Sequence, residues 1–169
     1  MGNQLLTIPK IEAPVTLWVH PEGRVEGSVF LECCGEDGRP TQQPAEILNS
    51  PDPFLVVRCH ASGDLRFYNK HALVRVGCEN DDAAVALEDE LTELQCRLFM
   101  MDGSILDGLI REVLPPERRR LYDYINTLGQ QFLRLFTVTA AAAAGNDALE
   151  WPVCLVNKTY IVRIAQIRA

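Results

Sequence analysis

Two ten-residue stretches of this chain match each other without a gap. FYNKHALVRV occupies residues 67–76, and LVNKTYIVRI occupies residues 155–164. Both stretches share Asn, Lys, Val and Arg at equivalent positions, and most of the remaining positions agree in character. In each of them an Asn-Lys pair separates two apolar segments, which is typical of a turn between two strands. We interpret this match as the first sign of an internal duplication.

Two further matches occur in the same order along the chain. Residues 22–27 and residues 102–108 each contain an acidic residue, a Gly beside it and a second Gly further on. Residues 46–55 and residues 123–133 each contain an acidic residue followed by an Asn, and then a Phe-Leu pair. Because the order is kept, the sequence predicts a duplicated unit of about 80 residues, which suits a small domain better than a solenoid repeat.

The charge of the chain is concentrated between these two copies. Residues 1–78 carry seven basic and nine acidic residues, and residues 95–169 carry nine basic and seven acidic residues. Residues 79–94 carry seven acidic residues and no Lys or Arg, so this segment accounts for the whole net charge of −7. We expect two domains at residues 1–78 and 95–169, joined by an acidic linker at 79–94 that is either a short docked helix or a solvated spacer.

Each copy has the pattern of five short strands. The acidic-Gly pairs suit hairpin turns with a positive φ, and Gly27 and Gly108 suit a close crossing of neighbouring strands. The segments at residues 45–49 and 121–126 fit one helical turn or the entrance to a strand. Apolar residues within the strands predict two cores, the first with Trp18, Val29, Phe54, Val56, Leu73 and Val74 or Val76, and the second with Leu98, Ile110, Phe132, Leu135, Ile161 and Ile164.

The Asn-Lys pairs are interpreted as turn devices. Asn tolerates a positive φ better than any other residue except Gly, so we expect that conformation at Asn69 and Asn157. Lys70 and Lys158 would then point to solvent, and replacing Lys158 by Ala would leave stability almost unchanged.

The composition is that of an ordinary soluble domain, with 47% hydrophobic and 23% charged residues. No apolar run approaches the roughly 20 residues that span a bilayer, and the first residues lack the pattern of a signal peptide. We therefore expect a cytoplasmic protein. Its six cysteines show no CxxC pair and are interpreted as small buried hydrophobes, so neither a metal nor another cofactor is expected.

This arrangement resembles the Sm-like small β-barrel, a relative of SH3-like barrels. The likeness is greater still to bacterial domains of that shape, in which Leu-Asn or Ile-Asn precedes a Phe and a later Val-Asn-Lys turn. The corresponding residues here are Leu48-Asn49, Phe54 and Tyr68-Asn69-Lys70 in the first copy, and Ile125-Asn126, Phe132 and Val156-Asn157-Lys158 in the second. The resemblance implies a mainly all-β chain of two tandem five-stranded Sm-like (SH3-like) barrels.

The same resemblance has implications for partners. Sm-like domains assemble into rings through edge strands, and a fused pair would satisfy one such edge internally. RNA-binding members contact a base with an Asn near the third strand and an Arg-Gly turn near the last. Asn49 and Asn126 match the first element, whereas Asn-Lys stands at both places where Arg-Gly would be.

Two functions from different classes follow. The first is a non-enzymatic adaptor or scaffold of bacterial type, which binds a protein partner or itself through edge strands. The alternative is binding of RNA or single-stranded nucleic acid by the more basic second copy. Both would draw on Arg118, Arg119, Arg120, Tyr122, Tyr124, Asn126 and Lys158.

The three arginines also have a purely structural interpretation. They form either a solvated loop beside Glu117 or a docking patch for the acidic linker. An enzyme is disfavoured, because Asp102, Asp107 and Asp123 have no His in the second copy to work with and no Gly-rich phosphate loop accompanies them. No catalytic residue is predicted.

Overall fold

A computed structural model of the chain describes residues 8–33, 37–80, 91–113, 117, 120–127, 129–141 and 149–168. Most of the acidic linker, the vicinal Cys34, two of the three clustered arginines and the alanine-rich segment at 142–148 lie outside the described residues. Strand β6 begins at Thr92, so the last part of the segment assigned to the linker already belongs to the sheet.

The first half contains five strands and one short helix. Its elements are β1 (Lys10–Val19), β2 (Gly23–Glu32), α1 (Pro44–Asn49), β3 (Phe54–Cys59), β4 (Leu65–Asn69) and, after a 3-10 turn at Lys70–Ala72, β5 (Leu73–Cys78). Helix α1 begins with proline, whose fixed φ suits the first helical position.

The second half contains the same kinds of element in the same order. They are β6 (Thr92–Met100), β7 (Ile105–Glu112), α2 (Leu121–Thr127), β8 (Phe132–Ala141), β9 (Leu149–Asn157) and, after a 3-10 turn at Lys158–Tyr160, β10 (Ile161–Gln166). The prediction of a mainly β chain is confirmed, and the two short segments left open between helix and strand are helical.

All ten strands belong to one antiparallel sheet. Its order is β10-β6-β7-β8-β9-β5-β1-β2-β3-β4, so β5 and β9 join the two halves. The sheet is open, because the outermost strands β10 and β4 pair on one side each within the described part of the chain. Each half has the same internal order, with its last strand beside its first and its fourth strand at the far end.

Two buried clusters lie on the sheet, and each receives residues from both halves. Phe132, Val153 and Leu155 of the second half pack into the cluster of the first, while Val74 packs into the cluster of the second. Successive residues of a strand face opposite sides, so β9 sends Cys154 to the second cluster and its immediate neighbours Val153 and Leu155 to the first. The expectation of one self-contained core per half is therefore wrong for these residues.

Among the predicted core residues, Val56 is only partly buried and belongs to neither cluster, and two others lie elsewhere. Phe54 is 53% exposed, whereas Phe132, at the matching place in the second half, is completely buried. Trp18 is partly buried and packs against the second cluster, where its ring meets Trp151 edge to face at 5.8 Å. Trp18 lies on the side of the first half that β9 covers, where it contacts Trp151. Phe54 lies on the opposite side, which nothing in the described residues covers.

The close strand crossings expected at two glycines are present. A Cβ added at Gly27 would lie 2.6 Å from Val57 Cγ1, and one at Gly108 would lie 2.5 Å from Leu135 Cγ. Real Cβ contacts are essentially never this short, so no larger residue fits without movement of the next strand. The glycines of the two hairpin turns, Gly23 and Gly103, have φ of 92° and 83°, as predicted.

We predict that Gly108→Ala destabilises the protein by about 1–3 kcal/mol, because the new methyl group overpacks β7 against β8. Gly129→Ala is the matched control, since nothing lies within 4 Å of a Cβ at that exposed position. Its effect should be neutral or stabilising by up to about 1 kcal/mol. Urea unfolding measures both, and equal stabilities of the two variants would contradict the close-crossing interpretation.

Candidate functional site

The two Asn-Lys turns have the same geometry, which differs from the predicted one. Asn69 has φ −64° and Asn157 has φ −69°, so neither adopts the left-handed conformation. Each Asn instead caps a 3-10 turn, because its side-chain Oδ1 accepts a hydrogen bond from the backbone N–H two residues later. The donors are His71 at 2.9 Å and Thr159 at 3.0 Å. The expected positive φ is therefore wrong, and the role as a turn device is confirmed.

The lysines of these turns do not point to solvent. Lys70 is 3% exposed, and its Nζ donates to Ile47 O at 2.6 Å, Ser50 O at 3.1 Å and Ser50 Oγ at 2.9 Å. These acceptors lie at the C-terminal end of α1, where helix carbonyls lack partners and a positive charge is favourable. Burial lowers the pKa of the Lys70 ammonium, and the carboxylate of Asp52 partly opposes this effect.

Lys158 acts in the same way in the second half. Its Nζ donates to Ile125 O of α2 at 3.1 Å, and burial lowers its pKa. The two lysines therefore tie each 3-10 turn to the short helix of the same half. The sequence expectation that Lys158 contributes nothing to stability is at odds with this contact.

We predict that Lys70→Met destabilises the protein by about 1–3 kcal/mol, because the carbonyls of Ile47 and Ser50 lose a buried donor. Lys10→Met, at an exposed position in β1, should change stability by no more than about 0.5 kcal/mol. Chemical denaturation followed by tryptophan fluorescence compares the two. A Lys70→Met protein as stable as the Lys10→Met protein would show that the ammonium is not needed at this helix end.

The junction between the halves is built from strand pairing and two asparagine side chains. β5 and β9 pair from Arg75 opposite Val156 to Cys78 opposite Val153. Asn49, the last residue of α1, places its side-chain amide on the main chain of Phe132 across the junction. Its Oδ1 accepts from Phe132 N at 2.8 Å, and its Nδ2 donates to Phe132 O at 3.3 Å.

Asn157 forms the second bridge. Its side chain is completely buried, and its Nδ2 donates to Leu73 O at 2.9 Å and to Lys70 O at 3.3 Å. Asn69 occupies the matching turn in the first half, yet it is exposed at the outer edge of the sheet. The same turn sequence therefore lies in an interface once and beside solvent once.

We predict that Asn157→Ala destabilises the protein by about 3 kcal/mol, because two backbone carbonyls lose buried hydrogen bonds. Asn69→Ala should cost about 1 kcal/mol, since it removes one cap contact at an exposed turn. Thermal melts of both variants provide the measurement. Similar losses for the two would mean that the bridge from Asn157 to the first half does not contribute.

In comparisons with known proteins, no family model, no curated protein and no solved structure matches this chain. The residues themselves therefore carry the functional argument.

The two outer edges of the sheet are the main unsatisfied feature of the described residues. An edge strand presents backbone N–H and C=O groups that a further strand can pair with. On the β4 side, Leu65 is exposed, Phe67 is 67% exposed and Phe54 lies exposed on the neighbouring strand. On the β10 side, Val162 is exposed. Apolar side chains therefore accompany both free edges.

The candidate binding residues predicted from the sequence lie in different surroundings in the structure. Arg118 and Arg119 lie outside the described residues, and Arg120 is exposed just before α2. Tyr122 is 72% exposed on α2, whereas Tyr124 is buried in the second core. The Tyr124 hydroxyl lies 3.4 Å from a carboxylate oxygen of Glu112, and burial raises its pKa.

Asn126 and Lys158 are brought together at the end of α2. The Nδ2 of Asn126 donates to Tyr122 O at 2.9 Å, and Lys158 donates to the carbonyl of Ile125, the residue directly before Asn126. Asn126 is exposed and lies on the side of the second half that matches the position of Asn49 at the junction.

Sequence reasoning did not identify the exposed apolar residues of the outer edge. From the sequence, Phe54 is expected in the first core, and Phe67 belongs to the repeated stretch 67–76 with no further role assigned to it. The signal available in the sequence was the duplication. When two copies of a unit pair through one edge of each, the opposite edge of each copy stays open.

Two buried cysteines of the described residues are poorly suited to thiol chemistry. Burial raises the pKa of the Cys96 and Cys154 thiols to about 12, so both stay protonated near neutral pH. In the part of the chain that the structure describes, no three His, Cys, Asp or Glu side chains lie close enough to hold a metal ion. Among the same residues, no helix is long and apolar enough to cross a membrane.

Proposed function

We propose that this chain is a non-enzymatic protein-interaction module, an adaptor or scaffold that binds through the two outer edges of its sheet. The observation that carries the proposal is the exposed apolar rim of β4, formed by Leu65 and Phe67 with Phe54 beside them. Strand addition at such an edge gains main-chain hydrogen bonds, and apolar side chains supply specificity.

The proposal includes an origin by duplication of one five-stranded Sm-like unit, two copies of which are joined edge to edge in the ten-stranded sheet. The common strand order, the matching Asn-capped turns and the two crowded glycines support it. We also propose a cytoplasmic location. The free, buried cysteines of the described residues support that location, since thiols persist in a reducing compartment.

The acidic residues that an enzyme would need support the non-enzymatic proposal. Asp107 forms a bidentate ion pair with Arg97, at 2.7 and 2.8 Å. Asp102 accepts a hydrogen bond from Ser104 N at 2.9 Å in the hairpin turn and lies 3.4 Å from Arg75. Hydrogen bonds from Ser104 and the charge of Arg75 lower the pKa of Asp102 despite its partial burial. Both carboxylates are thus engaged in holding turns and strands.

The alternative of nucleic-acid binding rests on the exposed face before and along α2. Arg120 is available for a phosphate, and the exposed ring of Tyr122 is available for stacking on a base. Tyr124 does not take part in this alternative, because its ring is buried.

Photo-crosslinking in the source cell tests the proposal. A benzophenone-bearing amino acid replaces Phe67 at the outer edge, and the matched control carries it at exposed Lys10 in β1, an interior strand of the sheet that pairs there with Glu32 of β2. We expect nuclease-resistant protein adducts from position 67 and few from position 10.

A third variant, with the probe at Tyr122, tests the alternative in the same cells. Adducts from position 122 that disappear after nuclease treatment would favour nucleic-acid binding. Protein adducts from position 67 that are no more abundant than those from position 10 would overturn the interaction-module proposal.

A further inference from the structure

A shallow cleft lies on the face of the sheet beside the junction of the two halves. It has a volume of about 170 Å³, and its walls include Thr16 of β1, Glu26 of β2, His60 after β3, Glu79 after β5 and Trp151 of β9. The first four of these residues belong to the first half and Trp151 to the second. The cleft lies away from the outer edges β4 and β10, so an inference about it goes beyond the proposed function.

The duplication shows which chemical group suits this place. Glu26 directly precedes the crowded Gly27, just as Asp107 directly precedes the crowded Gly108. In the second half, Asp107 lies opposite Arg97 of β6 and forms a bidentate ion pair with it, at 2.7 and 2.8 Å. A guanidinium group therefore lies beside this acidic position in the second half.

The first half has a short side chain where the second half has this arginine. Thr16 lies opposite Glu26 in the register that places Arg97 opposite Asp107. Glu26 forms its ion pair with Arg24 on its own strand instead, and both side chains of that pair are exposed, so the pair is weak. Thr16 and Glu26 are both walls of the cleft, which therefore lies where a longer residue at position 16 would extend.

The hydroxyl of Thr16 lacks a partner. Val15 and Leu17 point into the first core, so the side chain of Thr16 faces the opposite side of the sheet. Thr16 is only 6% exposed, yet no residue in the described part of the chain supplies a hydrogen-bond partner for it. Nearly buried polar groups are normally hydrogen-bonded, so this hydroxyl indicates a group that the cleft receives from outside.

The other walls suit a planar cation. Glu79 is exposed, and its carboxylate has no ion-pair partner among the described residues. Trp151 contributes an indole ring, and guanidinium groups stack on such rings. The same kind of contact already occurs nearby, where the guanidinium carbon of Arg75 lies 4.3 Å from the ring centre of Trp18.

We infer that this cleft binds a guanidinium group from a second molecule, either an arginine side chain of another polypeptide or a small free guanidinium compound. The group pairs with the carboxylates of Glu26 and Glu79, stacks on Trp151 and donates a hydrogen bond to the hydroxyl of Thr16. The charge of the chain favours the approach of a cation, because residues 79–94 carry seven acidic residues and no Lys or Arg.

NMR titration tests the inference, because the chain has only two tryptophans and the indole N–H signal of Trp151 reports on the cleft. A Trp151→Phe variant assigns that signal. The guanidinium probes are agmatine and the capped tripeptide acetyl-Gly-Arg-Gly-amide. Their matched controls carry a neutral urea in place of the guanidinium group, namely N-carbamoylputrescine and the corresponding citrulline tripeptide.

We expect saturable shifts of the Trp151 signal with both guanidinium probes, and binding of the urea controls that is at least about tenfold weaker. Tighter binding of the tripeptide than of agmatine would identify a polypeptide arginine as the source, and the reverse order a small free compound. Urea controls that bind as tightly as the guanidinium probes would overturn the inference.

Glu26→Gln should weaken the binding of both guanidinium probes about tenfold, because it removes one of the two carboxylates. Asp107→Asn is the matched control, since it removes the same charge from the equivalent position, where Arg97 already lies. Its effect on binding should stay within about twofold, because a distant exposed charge is screened by salt. Equal losses for the two variants would show that the probes do not bind at the cleft.

Thr16→Arg transfers the arrangement of Arg97 to the first half. We expect the guanidinium group of the new side chain to pair with Glu26 and to abolish binding of both probes, while the dispersion of the NMR spectrum shows that the protein is folded. A folded Thr16→Arg protein that binds the probes as tightly as the unmodified chain would contradict the inference. Glu26 is exposed, so the Glu26→Gln variant should fold and decides the question even where Thr16→Arg does not fold.

Discussion

The hydrogen bonding between β5 and β9 is the constraint on which the rest of the structure depends. It turns two five-stranded halves into a single sheet and brings Phe132, Val153 and Leu155 into the core of the first half. It also fixes which side chains become interface residues, since Asn49 and Asn157 acquire main-chain partners from the other half only because these strands meet. Stability and the exposed outer edges are therefore two results of one pairing.

The Asn-Lys turns show how position overrides identity. Both turns cap a 3-10 segment with Asn and anchor the neighbouring helix with Lys, so their internal structure is the same. Their surroundings differ, because Asn157 is buried in the junction and Asn69 is exposed at the rim. A turn that is structural in one half is thus available for contacts in the other.

Much of the local structure was predictable from the sequence. Strand positions and the crowding at Gly27 and Gly108 follow from patterns within a few residues of the chain, whereas the two short helical segments were left open between a helical turn and a strand entrance. The burial of Lys70 was not, because its acceptors in α1 lie about twenty residues away. The contrast between Phe54 and Phe132 also escaped prediction, since it depends on which edges of two similar halves are paired.

The sharing of cores across the junction has a consequence for biosynthesis. The cluster of the first half contains Leu17, Val57 and Leu73 together with residues as distant as Leu155. A nascent chain that has emerged only as far as β5 holds most of that cluster but lacks its closing side chains, and the edge of β5 is then open to any other strand. Contacts between such distant residues form slowly, and incomplete sheets with open edges are prone to aggregation. The first half therefore completes its packing only after β9 has been made.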